Sequence, residues 1–119
     1  MRRSCLIYIE DILTSTNKIL DYVGESSFEE FCKNEMRLEA IERNFMIIGE
    51  ATKNIPDEIR HKYPFVQWQR VIDFRNVLAH EYFGINKKIM WTIIKEKLPH
   101  LKQNIQNVLE QERTWLTTT

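Results

Sequence analysis

The residue types best suited to chemistry in this chain lie close together, because Arg75, Asn76 and His80 fall within one short stretch. An arginine guanidinium can form paired hydrogen bonds with phosphate oxygens, and a histidine can exchange a proton near neutral pH. Both properties suit phosphodiester cleavage. In RNA the 2′-hydroxyl is an internal nucleophile, so a histidine and a cation beside the developing phosphorane can suffice without a metal. Asn76 is suited to orient the histidine or to donate to a phosphate oxygen.

A single helix is predicted to carry these side chains. Val71, Phe74 and Leu78 recur at helical spacing and form a stripe that we expect to face the core. No proline or glycine interrupts residues 66–83, and Gly84 has the position of a C-terminal stop. We therefore predict a helix over 66–83 in the middle of the chain.

The spacing along this helix favours a dimeric site. Arg75 and Tyr82 nearly overlap in projection, whereas Asn76 and His80 share a neighbouring face. At ~100° per residue, Arg75 and His80 lie roughly 140° apart, too far to converge easily on one small group from one straight helix. A second copy of the helix across a two-fold axis would bring both residue types into one cleft.

The spacing alone also allows a purely structural explanation. Arg75 can pair with Asp73 or Glu81 on the surface, and His80 can pack half-buried against a backbone partner. An arginine and a histidine separated by four residues form a weak pattern, which on its own favours this explanation.

The octapeptide Arg75-Asn-Val-Leu-Ala-His-Glu-Tyr82 resembles the Arg-Asn-x3-His-x-Tyr signature of the HepT-like branch of the HEPN superfamily (higher eukaryotes and prokaryotes nucleotide-binding domains). Other segments resemble the family pattern in its usual order, so the resemblance covers nearly the whole chain. These segments are Tyr8 to Ile12, Arg43-Asn44 followed by Ile48 to Ala51, Ile55 to Ile59, Tyr63-Pro64 with Trp68, Tyr82 to Gly84, and Leu98-Pro99.

This resemblance implies an all-α antiparallel helical bundle that forms a two-fold symmetric homodimer. It implies a metal-independent endoribonuclease toxin that cleaves RNA, with tRNA as a candidate substrate, and whose catalytic pair is Arg75 and His80, supported by Asn76. The implied partner is a minimal nucleotidyltransferase antitoxin that transfers AMP to a tyrosine, which here corresponds to Tyr82. Such a group would add bulk and negative charge beside the phosphate-binding arginine.

Two other functions remain open. One is a non-catalytic dimeric module that binds nucleotide, RNA or a nucleotidyltransferase, with Tyr82 as a docking or modification site. The other is a protein-interaction bundle in which the motif only stabilises the dimer. The chain has 17 basic and 17 acidic residues, which counts against a strongly basic, sequence-independent nucleic-acid binder and keeps these alternatives open.

Three residues outside the motif are candidates to support the catalytic side chains. Arg43 and Glu50 lie seven residues apart on one face of a predicted helix from about Glu35 to Asn54, and Asp73 precedes the motif. A solvated or ion-paired surface explains Arg43 and Glu50 equally well.

That helix is apolar on more than one side, which suits either a central core helix or one covered by a second subunit. Gly49 would allow close backbone approach in either case. The main stripe consists of Leu38, Ile41, Phe45 and Ile48, and Met46 and Ile47 lie off it.

With 119 residues, the chain is long enough for one domain with a single core. We predict one HEPN-like helical domain over residues 1–116 and a polar tail over 117–119. Further predictions are local: a first helix from Cys5 to Val23 that ends at Gly24, a capping box at Ser27 to Glu30, a short helix after Pro56, an N-cap at Asn86, and a kink or a new helix at Pro99.

Several classes of site and location are disfavoured. The three histidines lack metal-ligand spacing, and the two cysteines lie too far apart for a Cys-x-x-Cys clamp, so we expect no metal or cofactor. Glu10 and Asp11 interrupt the first apolar run, which argues against a secretory signal. No apolar stretch has the length of a membrane helix, and we expect a cytoplasmic protein.

Overall fold

The computed structural model describes residues 2–80 and 87–118, and within these ranges every regular element is a helix. This confirms the predicted all-α fold class. The described helices are α1 (Arg2–Val23), α2 (Phe28–Lys33), α3 (Glu35–Lys53), α4 (Asp57–Lys62), α5 (Trp68–His80), α6 (Lys87–Thr92), a π-helical segment (Ile93–Lys97) and α7 (Leu98–Thr118).

Helix α3 lies at the centre of the fold, since it packs against both α1 and α5, while α7 packs against α1. The main stripe predicted on α3 is buried, and so are Ile9, Ile12 and Ile19 of α1. Residues at three- and four-residue spacing thus lie on one face of each helix and exclude water from a common core. The two predicted helices α1 and α3 are confirmed.

The stripe predicted on α5 is less buried than expected. Trp68 and Ile72 are the residues of α5 that enter the core, whereas Val71, Phe74 and Leu78 are half-buried at its edge. A repeat of apolar residues shows which face of a helix avoids water, but it does not show whether a neighbour covers that face completely. The described helix begins at Trp68, two residues after the predicted start.

The junction between the first helices is held by a network of short-range hydrogen bonds. The backbone N–H of Ser27 donates to Glu30 Oε1 at 2.9 Å, and the N–H of Glu30 donates to Ser27 Oγ at 3.2 Å, which confirms the predicted capping box. The guanidinium of Arg37 donates to the carbonyls of Tyr22 and Glu30 and to Ser26 Oγ. This side chain therefore links α3 to the end of α1 and to α2.

Pro99 is accommodated in a way that the sequence did not predict. The chain remains helical through this proline, but the preceding turn widens into the π-helical segment, where the N–H of Leu98 donates to the carbonyl of Ile93. Proline lacks an N–H and its ring crowds the carbonyl one turn back, and a wider turn relieves both problems. The chain is therefore helical without interruption from Lys87 to Thr118.

A buried acidic side chain joins the two halves of the chain. Glu112 of α7 is almost completely buried and accepts a hydrogen bond from the Tyr63 hydroxyl at 2.5 Å. Lys62 Nζ lies 2.9 Å from the same carboxylate. A buried carboxylate needs such partners, because its desolvation is otherwise costly.

Some predictions fall outside the described residues, namely the modification candidate Tyr82, the helix stop at Gly84 and the N-cap at Asn86. Both cysteines, Cys5 and Cys32, are free thiols. Within the described ranges, no helix combines the length and the apolar character needed to cross a bilayer.

Candidate active site

The site is built where Gly49 of α3 lies directly against Arg75 of α5. A Cβ atom placed on Gly49 would lie only 2.1 Å from Cβ and 2.3 Å from Cγ of Arg75. These distances are far shorter than a carbon–carbon contact of about 3.5–4.0 Å, so only glycine fits at position 49. The predicted close approach at Gly49 is confirmed, and the element that it admits is the stem of Arg75.

The guanidinium of Arg75 is fixed by partners on two sides. Nη2 forms an ion pair with Glu50 Oε1, and Nη1 donates to Asn76 Oδ1 at 3.1 Å. The side chain is 21% exposed, and its Nε is buried with no hydrogen-bond partner among the described residues. The fork is therefore held in one orientation, and Nη1 and Nη2 each keep a second N–H that no described residue uses.

Asn76 contacts the arginine rather than the histidine. Its Oδ1 is the acceptor for Arg75, so the amide nitrogen is the group that stays available, and none of the described residues engages it. Neighbouring residues on a helix do not normally face each other, which is why spacing did not predict this contact. The long arginine side chain makes the contact possible by curling back toward the next residue.

His80 is the last described residue of α5 and is exposed. Its imidazole makes no hydrogen bond or ion pair with any residue in the ranges 2–80 and 87–118. An exposed imidazole on a rigid helix is free to meet a substrate and to exchange a proton with it. The structure thus presents a fixed cation and an unengaged histidine on one helix.

The three predicted supporting residues have different surroundings. Glu50 contacts Arg75 directly, as described above. Arg43 lines a shallow groove of about 380 Å³ between α1 and α3 that also includes Glu50, Tyr8 and Asp11. The groove therefore extends from Glu50 along α3 toward Arg43, away from Arg75.

Asp73 lies apart from this arrangement. Its Oδ1 accepts a hydrogen bond from Gln69 Nε2 at 2.9 Å, one turn earlier on the same helix. The surface ion pair between Asp73 and Arg75 that the spacing also allowed is not formed, because Arg75 turns toward α3 and pairs with Glu50.

Two apolar side chains near the site are exposed. Ile47 of α3 is 36% exposed and Val77 of α5 is 49% exposed. Val77 follows Asn76 directly and lies roughly 60° from His80 around the helix axis. Val77 is therefore an apolar residue on the exposed side of α5 that carries His80.

A metal site is not formed by the described side chains, since no three histidine, cysteine, aspartate or glutamate residues in ranges 2–80 and 87–118 gather around one point. The chemistry available from Arg75, Asn76 and His80 is anion binding together with proton transfer. This combination suits the cleavage of a phosphodiester.

Comparison with known proteins identifies the family. The model of a family described as "Ribonuclease HepT-like" matches residues 12–108. A protein of Caldanaerobacter subterraneus subsp. tengcongensis named "Putative RNase TTE0752" is 38% identical over 106 residues, which cover 89% of this chain and 95% of that protein. "Putative RNase MJ1380" of Methanocaldococcus jannaschii is 36% identical over 90% of this chain and 98% of its own length.

A third relative, "Probable ribonuclease HepT" of Thermococcus cleftensis, is 34% identical over 108 residues, covering 91% of this chain and 98% of that protein. No solved structure matches this chain. The family match spans most of the chain and agrees with the resemblance drawn from the motif. The chain therefore belongs to the HepT-like ribonuclease family of the HEPN superfamily.

Proposed function

We propose that this protein is a metal-independent endoribonuclease that acts as the toxin of a toxin–antitoxin pair. The observation that carries the proposal is the fixed orientation of Arg75, whose guanidinium is held by Glu50 and Asn76 on the helix that presents an exposed His80. Preorganised donors at a phosphate stabilise a transition state more than mobile ones do, because they need no reorganisation during the reaction. Family membership and the names of the relatives support cleavage of RNA.

In the proposed reaction the 2′-hydroxyl of the RNA attacks the adjacent phosphorus atom, and the bond to the 5′-oxygen breaks. His80 takes the proton from the 2′-hydroxyl or gives a proton to the leaving oxygen. Arg75 donates to the non-bridging oxygens as charge develops on the phosphorane. The free amide nitrogen of Asn76 is the additional donor for a phosphate oxygen.

A homodimer supplies the convergence that one helix lacks. Arg75 turns toward α3 while His80 lies roughly 140° away around the same helix, so we propose that the two residues act across a two-fold axis. The exposed side chain of Val77 supports a contact on the histidine side of α5, because a second subunit would remove it from water. The assembly is tested by sedimentation of wild type beside Val77→Glu, which should be monomeric.

Regulation by a nucleotidyltransferase antitoxin is part of the proposal. Transfer of AMP from ATP to the hydroxyl of Tyr82 would release pyrophosphate and leave a phosphodiester-linked adenosine on the motif. The helical spacing of the sequence predicts that Tyr82, seven residues after Arg75, shares a face with that arginine. The added phosphate would therefore compete with RNA for the guanidinium. The free thiols Cys5 and Cys32 are compatible with the reducing cytoplasm in which this pair would act.

The ribonuclease proposal is tested by incubating the purified protein with total tRNA and with a messenger RNA in the presence of EDTA. A parallel reaction uses an oligonucleotide of one cleaved sequence in which the 2′-hydroxyl at the cleavage site is replaced by hydrogen. We expect cleavage of RNA in EDTA and none of the 2′-deoxy strand. Activity that requires an added metal ion, or that cuts the 2′-deoxy strand, would contradict the proposed chemistry.

A second candidate is the non-catalytic binding module, and the ion pair itself favours it. Glu50 already occupies part of the Arg75 guanidinium, so an incoming phosphate must share that cation with a carboxylate. If the protein binds tRNA or a nucleotide in an Arg75-dependent way but leaves every RNA intact, this candidate replaces the ribonuclease.

A further inference from the structure

A second groove, which we call the α5–α7 groove, lies on another side of the bundle. It has a volume of about 460 Å³ and separates α5 from the C-terminal helices, with Phe45 and Ile48 of α3 contributing to its lining. Helix α5 packs mainly on α3, and α7 packs on α1, so these two helices flank the open side of the bundle. Most of the lining is apolar.

The apolar lining comes from both flanking helices. Val71 and Phe74 of α5 line the groove together with Ile93 and Leu101 of the C-terminal helices. Phe65 adds an aromatic ring that is 46% exposed. Val71 and Phe74 are two of the three residues of α5 that the sequence assigns to the core and that remain half-buried. The groove thus exposes part of an apolar stripe that the protein does not itself cover.

The charged side chains in the groove have one sign. The cationic residues are Arg70 and Lys97, His100 also lines the groove, and no aspartate or glutamate does so among the described residues. The whole chain has equal numbers of acidic and basic residues. The groove differs from this balance, because its lining has basic residues and lacks acidic ones among the described residues. A ligand that fits must combine an apolar surface with negative charge.

The shape of the groove favours a helix over a compact ligand. One wall runs from Ile93 to Asn104, eleven residues further along a continuous helix, which corresponds to roughly 16 Å or about three helical turns. A helix lying between two flanking helices would complete the open side of the bundle, as in known complexes where an amphipathic helix occupies an apolar groove. RNA is a poorer match, because its binding depends on many phosphate contacts and this lining is largely aliphatic and aromatic.

The groove lies on a different side of α5 from His80 of the candidate active site. Val71 and His80 are nine residues apart and therefore lie on roughly opposite sides of α5. None of Arg75, Asn76 and His80 lines the groove. A ligand bound in the groove would leave the histidine face of the helix open.

We propose that the α5–α7 groove is a docking site for an acidic amphipathic helix of a protein partner. Apolar residues of that helix, spaced at three and four positions, would pack on Val71, Phe74 and Leu101. Its flanking carboxylates would pair with Arg70 and Lys97 at the edges of the groove. The inference is independent of the catalytic role proposed for His80.

The test uses a synthetic peptide of about twelve residues, long enough for three helical turns. The fluorescein-labelled probe carries leucine at three- and four-residue spacing and glutamate at the flanking positions, and binding to the full-length protein is measured by fluorescence anisotropy. The variant of interest is the double charge reversal Arg70→Glu, Lys97→Glu. Its matched control reverses two exposed lysines on other helices, Lys18→Glu and Lys53→Glu.

We expect saturable binding of the acidic peptide to wild type and to the matched control, weakened by about tenfold or more in the Arg70→Glu, Lys97→Glu variant. A peptide with lysine in place of glutamate should bind that variant better than it binds wild type. This exchange of preference would identify charge pairing at the groove, and circular dichroism establishes that each variant is folded.

The apolar part of the groove is tested separately with Phe65→Ala and the matched control Ile7→Ala, which alters an exposed residue of α1. Only Phe65→Ala should weaken binding of the acidic peptide. Three results would overturn the proposal: no binding of either peptide, binding that Arg70→Glu, Lys97→Glu leaves unchanged, or loss of self-association or RNA binding in that variant while peptide binding persists.

Discussion

Replacing Gly49 by alanine is the substitution for which the structure gives the most definite expectation. The added methyl group would lie 2.1 Å from Cβ of Arg75, which is about 1.4 Å short of an ordinary carbon–carbon contact. Cβ is attached to the backbone and cannot rotate away, so α3 and α5 must move apart. The separation would displace Arg75 from Glu50.

Two effects on stability oppose each other in Gly49→Ala. Alanine has a higher helix propensity than glycine by about 1 kcal/mol, whereas overpacking of a close contact costs about 1–3 kcal/mol. The clash involves the two carbons nearest the Arg75 backbone, so we expect the upper part of that range and a net destabilisation of about 1–2 kcal/mol. A misplacement of about 1 Å at a catalytic group can lower the rate by about 100-fold, so activity should fall further than stability.

The assay combines urea denaturation with the rate of RNA cleavage at equal concentrations of folded protein. Met36→Ala is the control, because it alters an 83% exposed residue on the same helix and should leave both quantities nearly unchanged. If Gly49→Ala stabilises the protein and keeps the wild-type rate, then α3 does not need glycine at this position and our account of how Arg75 is held is wrong.

Three further predictions concern individual carboxylates. Glu50→Gln should lower kcat by about tenfold, because the guanidinium loses its ion pair. Urea denaturation should detect a change in the free energy of unfolding of less than about 1 kcal/mol, since Glu50 is half-exposed. A larger loss of stability would show that Glu50 acts mainly in folding. Glu112→Ala should lower the free energy of unfolding by about 3 kcal/mol, because the Tyr63 hydroxyl stays buried without this acceptor. The rate of cleavage per folded molecule should not change. A loss of stability below about 1 kcal/mol would contradict a stabilising role for Glu112. The backbone N–H and hydroxyl of Ser27 hold the pKa of Glu30 below its usual value. This carboxylate therefore stabilises the fold at pH values above its unfolded pKa, and the contribution is lost as the pH falls through its folded pKa. The urea midpoints of wild type and Glu30→Gln should therefore differ at neutral pH and converge in acid.

Local patterns in the sequence were sufficient for the elements that support the site. The stripe on α3 and the capping box at Ser27 depend on residues three or four positions apart, and such neighbours interact in any helix that forms. Gly49 could be interpreted as a point of close approach because it is the one residue without a Cβ on a helix that is apolar on more than one side. The sequence did not show that Arg75 would fill this space, since the contact joins residues 26 positions apart.

Long-range pairs and partial burial could not be predicted in the same way. Tyr63 and Glu112 are separated by 49 residues, and a single sequence contains no information on which distant groups meet. The apolar residues of α5 were predicted to face the core, yet Val71 and Phe74 line the α5–α7 groove. Periodicity identifies an apolar face, but only the arrangement of neighbouring helices decides how much of that face is covered.

The central claim, that Arg75 and His80 cleave RNA, is tested most directly by the single-turnover rate of cleavage in EDTA. Arg75→Ala and His80→Ala are compared with wild type and with two controls that remove the same residue types elsewhere, Arg113→Ala and His61→Ala. We predict a loss of about 100-fold or more in each motif variant and wild-type rates in both controls, with all proteins folded. A wild-type rate in either motif variant would contradict the assignment of catalysis to this helix.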